Sequence, residues 1–67
     1  MSVARITEIS STSTQSFDDA VKQGIDRASK TLRGIRSAWI KEQTVDVDNA
    51  KITNYRVNML VTFVLDD

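Results

Sequence analysis

The amino-acid sequence predicts an α+β domain in the order β-α-β-β, with a three-stranded antiparallel sheet (order 1-3-2) packed on one helix. Three observations predict it. Apolar residues recur at three- and four-residue spacing in one stretch only, from Phe17 to Ile35. Strict alternation runs through Tyr55, Val57, Met59, Val61, Phe63 and Leu65. Between two strand-like stretches lies a run of turn formers, Asp48-Asn49-Ala50. No internal repeat or linker interrupts the 67 residues, so residues 1–67 read as a single domain.

The first strand is expected from about Val3 to Ser10, and the polar run Ser10–Ser16 is expected to turn. Ser16-Phe17-Asp18-Asp19 then reads as a helix start. Ser16 can cap, Asp19 lies three residues on as a shortened capping-box acid, and both acids sit at the positive end of the helix dipole. The helix is expected to run to Arg33 or Ile35, with Gly34 ending it. Asp18 to Lys22 and Asp26 to Lys30 are acid-before-base pairs four residues apart on a solvated face. Two strands follow, roughly Ser37 to Val47 and Lys51 to Leu65.

A strand, a crossover helix and a strand imply parallel elements joined by a right-handed crossover, and the tight turn reverses the last strand. Placing that last strand in the middle makes every pairing antiparallel and buries the most apolar strand deepest. Its second face, Asn54, Arg56, Asn58, Leu60, Thr62 and Val64, mixes polar and apolar residues and reads as an interface or a ligand wall.

Composition removes most alternatives. Without His or Cys there is no imidazole proton shuttle, thiol nucleophile, haem ligation or Cys/His zinc site. A formal charge of zero with no Lys/Arg run speaks against nucleic-acid or anionic-membrane partners. No apolar run is long enough for a membrane span, and the N-terminus lacks a secretory h-region, so a cytoplasmic protein is expected. A chain this short buries only about 60% of its surface when folded alone, which makes burial against copies of itself the expected source of extra stability. It also leaves little room for an enzyme pocket, so no catalytic residues are assigned.

The order of elements, together with Ile9-Ser10-Ser11-Thr12-Ser13, Phe17-Asp18-Asp19-Ala20-Val21, Ala28-Ser29-Lys30-Thr31-Leu32-Arg33 and Val57 to Asp67, resembles the dodecin family. That resemblance implies a non-enzymatic protein whose twelve subunits form a hollow homododecamer and bind a flavin such as riboflavin or FMN. In flavin-binding members a Trp on the second strand stacks on the flavin and a Gln on the third hydrogen-bonds it. The ungapped register puts Ser37 at the Trp position and Arg56 at the Gln position, while Trp39 lies two residues along the same strand. The segment from Ile35 to Gln43, with Val47-Asp48 and Ile52 to Arg56, is more similar to the subgroup described as calcium-binding.

Ser37, Trp39 and Arg56 are thus the candidate ligand residues. Trp39 keeps the face of Ser37, about 6.6 Å away, and the Arg56 fork suits a carbonyl or an anion. Glu42, Asp46 and Asp48 share parity on the second strand and are the candidate ligands for calcium or magnesium, which take hard oxygen donors. Glu8, on an otherwise apolar or small strand, is expected to pair with an Arg of the same or another subunit.

Overall fold

The computed structural model describes residues 3–65; Asp66 and Asp67, the end of the last resembling stretch, lie outside the described residues. Its elements are β1 (Ala4–Ser13), α1 (Phe17–Ala28), β2 (Ile35–Asp48) and β3 (Lys51–Val64). They form one sheet in the order β1-β3-β2, and both pairings are antiparallel, as the connectivity argument requires.

Ser16 starts α1. Its backbone is extended, and its hydroxyl accepts the Asp19 N–H at 3.0 Å, satisfying one of the otherwise unpaired amides of the first turn. Asp19 does not close a reciprocal capping box. Its carboxylate instead accepts the buried Ser13 hydroxyl at 2.6 Å, and that hydroxyl in turn accepts the Gln15 N–H at 2.9 Å. The end of β1 and the start of α1 are therefore locked by one network. This explains a departure from expectation: β1 continues through Ser11, Thr12 and Ser13, paired with Val57, Arg56 and Tyr55, where a turn was expected.

The helix is shorter than its periodicity suggests. It ends at Ala28 rather than at Arg33 or Ile35. The Lys30 and Thr31 N–H groups bond to carbonyls three residues back, and the Ser29 and Thr31 hydroxyls donate to the Asp26 and Ala28 carbonyls. These bonds tighten the last turn and satisfy carbonyls that a continuing helix would use. Gly34, expected as the cap, serves the sheet instead: it has φ 72°, and its carbonyl accepts the Val64 N–H at 3.1 Å. The expected Asp18–Lys22 and Asp26–Lys30 pairs are not formed; among the described residues the ion pairs are Lys41–Glu8 and Arg56–Asp46.

β2 runs two residues earlier and one later than expected, because β3 offers it partners from Phe63 to Lys51. β3 ends at Val64, and Leu65 donates its N–H to the Val3 carbonyl at 2.9 Å. The core is Ala20 of α1 against Val57, Met59 and Val61 of β3, all fully buried. Phe17 meets Tyr55 edge to face, with ring centroids 5.1 Å apart. Gly24 allows a close approach of helix to sheet, since a Cβ there would stand 2.6 Å from Met59 Cε and 3.0 Å from Ser11 Cβ.

The helix covers only part of its face. A 12-residue helix spans about 18 Å, whereas the 14-residue strands β2 and β3 span about 46 Å. The hairpin therefore extends past the helix start, and the molecule measures 51 × 19 × 13 Å.

Candidate functional site: the open face around Trp39

The face of the sheet away from α1 has no covering element. Cross-strand register assigns its residues: Ser37 opposite Thr62, Trp39 opposite Leu60, Glu42 opposite Asn58, Thr44 opposite Arg56, and Asp46 opposite Asn54. β1 adds Ile6, Glu8 and Ser10 beside Thr62, Leu60 and Asn58. From Asn54 to Thr62 the even-numbered residues of β3 thus form the centre of this wall, and Val57, Met59 and Val61 between them belong to the core.

A bulge builds the site. Strict alternation along β2 would put Trp39 and Glu42 on opposite faces, but the register shifts between Ile40 and Glu42 and leaves Lys41 as the extra residue. After the bulge, Glu42 joins Ser37 and Trp39 on the open face. Nothing in the composition or the alternation of the sequence marks that bulge, and this is why the tryptophan and the acids read as separate features there.

Trp39 is 65% exposed, and Ile6 on β1 is similarly bare. An exposed indole in a sheet face is a platform for stacking or for burial against a partner. Around it the charges are mostly paired. Lys41 Nζ lies 3.6 Å from Glu8 Oε2, so within one copy the partner of Glu8 is a lysine rather than an arginine. Arg56 Nη2 lies 3.1 Å from Asp46 Oδ2, and Asn58 Nδ2 donates to Glu42 Oε1 at 3.2 Å. Both ion pairs are half-exposed, so each orients side chains more than it stabilises the fold.

Ser37 and Trp39 are therefore neighbours. Arg56 is not beside them within one copy: it stands four β3 positions from Leu60, the partner of Trp39, or about 13 Å along the strand. The exposed indole is a surface on which a planar ring can stack, and along β3 the Asn58 and Thr62 side chains stand two positions either side of Leu60. The acids fit a shared cation poorly within one copy. Glu42 is bonded to Asn58, Asp46 is paired with Arg56, and Asp48 sits at the hairpin turn opposite Lys51. Among the described residues no three acidic side chains converge as a metal-ligand group. Sequence reasoning did not single out Lys41 or Asn58 for this site; the parity of β3 already placed Asn58 on the face.

Comparison with known proteins agrees with this architecture. The profile of the family described as Dodecin matches residues 3–66. A curated relative, the calcium dodecin of Mycobacterium tuberculosis, is 35% identical over 63 residues, covering 94% of this chain and 89% of its own length. The solved dodecin from Streptomyces davaonensis superposes with a TM-score of 0.94 at 33% identity, covering 98% of this chain and 97% of its own. The crystal structure of the calcium-chelating antigen, calcium dodecin, from Mycobacterium tuberculosis, described as having a novel calcium-binding site, superposes with a TM-score of 0.83 at 31% identity over 96% of this chain and 91% of its own. In sequence and in fold, the chain belongs to the dodecin family.

Proposed function

We propose that the protein is a non-enzymatic, homododecameric binding shell that holds a small planar ligand of the flavin class against the open sheet face, between copies of itself. The observation that carries this reading is Trp39, 65% exposed on a face that no element of its own chain covers. Stacking on an indole supplies affinity without a deep pocket, and a second copy closing over the face supplies the remaining burial. Ser37 leaves space beside the ring, and the Asn58 amide offers a polar edge. Arg56, held by Asp46, reaches a ligand only from the neighbouring copy in this arrangement.

A second reading is a calcium-binding shell without an organic ligand. The M. tuberculosis relative named calcium dodecin favours it, as does Glu42 on the same open face. Because Glu42 and Asp46 are each engaged within one chain, the cation would be held by carboxylates from two copies.

Trp39 is the sole tryptophan, so tryptophan emission reports on this site alone. Titration of ligand-free protein with riboflavin is expected to quench that emission at a saturable stoichiometry, with the oligomer mass by light scattering unchanged. Unquenched emission overturns the flavin reading. A rise in melting temperature with calcium, reversed by chelator, then identifies the cation shell.

A further inference from the structure

We propose that Asn58, locked in one orientation by Glu42, makes the open face selective for planar rings that carry an N–H donor on their edge, as the imide of a flavin does. The inference rests on the flavin-class reading and deepens it by naming what the ring must present. Cross-strand register orders the side chains of the face in rows. Glu8 and Trp39 flank Leu60, and in the next row Ser10 and Glu42 flank Asn58. Asn58 is therefore a diagonal neighbour of Trp39, at the spacing of about 7–8 Å that aromatic and long side chains still reach across. A ring stacked on the indole and extending along β3 meets Asn58 at its edge.

Asn58 is half-buried, and its one side-chain hydrogen bond among the described residues runs from Nδ2 to Glu42 Oε1, at 3.2 Å. A primary amide can turn over, exchanging its donor end for its acceptor end with little change of shape. Glu42 removes that freedom. A carboxylate only accepts, so the turned amide would set Oδ1 against Oε1, two acceptors with no proton between them. The bulge at Lys41 brings Glu42 to this face, so the lock is built into the pairing of β2 with β3. With Nδ2 turned to Glu42, Oδ1 faces away from it and accepts only from a donor. The neighbouring polar groups impose no such sense. The Ser10 and Thr62 hydroxyls can each rotate to donate or accept, and Lys41 is taken up by Glu8. Selection is thus made at one amide oxygen. A ring with an N–H at that edge forms the bond, whereas a methyl or a bare carbonyl there leaves the oxygen covered and unpaired, a larger loss than the bond itself is worth. Sites that hydrogen-bond a ligand N–H reject analogues lacking it more strongly than sites that judge by shape.

The experiment titrates wild type, Asn58→Val and Glu42→Gln with riboflavin and with N3-methylriboflavin, in which a methyl replaces the imide hydrogen, and reads the quenching of Trp39 emission. The wild type is expected to bind riboflavin at least about tenfold more tightly than the methylated flavin. Asn58→Val removes the amide, keeps strand preference, and is expected to bring that ratio to within about twofold of one. Glu42→Gln keeps the side-chain shape but can donate as well as accept, so the Asn58 amide is free to turn and the ratio is expected to fall at least about threefold. If Glu42 were only structural, its substitution would weaken both flavins alike and leave the ratio unmoved. Light scattering checks the native mass of each protein, and Glu42→Gln carries the test if Asn58→Val does not assemble. Equal affinity of the wild type for the two flavins, or a ratio that the substitutions leave unchanged, overturns the selection while leaving the flavin reading intact. A wild type quenched by neither flavin overturns that reading and the selection with it.

Discussion

At the scale of single residues, the hairpin turn shows a compromise. Asn49 and Ala50 have φ of 52° and 62°, the pattern of a two-residue type I′ turn whose twist matches the flanking strands. Asparagine tolerates that region, whereas a Cβ at Ala50 meets the neighbouring carbonyl oxygen. Ala50→Gly is therefore expected to stabilise the fold by about 0.5–1 kcal/mol, the relief of strain being partly offset by glycine's greater freedom when unfolded. Urea unfolding of both proteins measures it, and an unchanged midpoint would show that the turn is relaxed by other means. The turn itself was legible, because Asp48-Asn49-Ala50 divides two strand patterns. Trp39 was legible as a residue and not as a site: its neighbour Glu42 reaches the same face only through the bulge at Lys41, which depends on how β2 pairs with β3.

At the scale of elements, what sequence shows depends on whether the cause is local. The Ser16 cap and the alternation of β3 are local, and both are where the residues place them. The helix end is not fixed by periodicity, because Leu32 and Ile35 continue an apolar rhythm that Ser29 and Thr31 interrupt through their hydroxyls. Likewise Ser11, Thr12 and Ser13 read as a turn by composition and extend as strand because β3 supplies partners and Asp19 takes the Ser13 hydroxyl. Gly24 is the element-scale determinant of packing. Its missing side chain lets α1 approach Ser11 of β1 and Met59 of β3 together. Gly24→Val is expected to cost about 2–3 kcal/mol, because overpacking at a buried contact outweighs any change in helix propensity. Denaturant melts of the purified variant would show this, and a stability equal to the wild type would mean that the helix shifts freely on the sheet.

At the scale of the whole molecule, the geometry is that of a part. The chain exposes 5110 Å², against about 4,200 Å² expected for a compact monomer of its mass. Its radius of gyration is 13.8 Å, where a compact chain of this length would have about 11 Å. Both excesses have the same origin, a hairpin longer than its helix and a sheet with one bare face. Exposed apolar residues at Ile6, Trp39, Val47 and Ile52 are spread over these two surfaces. Burying them against other copies couples folding to association, so stability must follow protein concentration by mass action. A hundredfold increase in concentration is expected to raise the melting temperature by at least about 4 °C, a shift of the size that one kcal/mol produces in a domain this small. Calorimetry over that range measures it, before any ligand is added. A melting temperature independent of concentration would mean that the subunit's own core, four fully buried side chains and their neighbours, holds the fold unaided and that assembly adds function without stability.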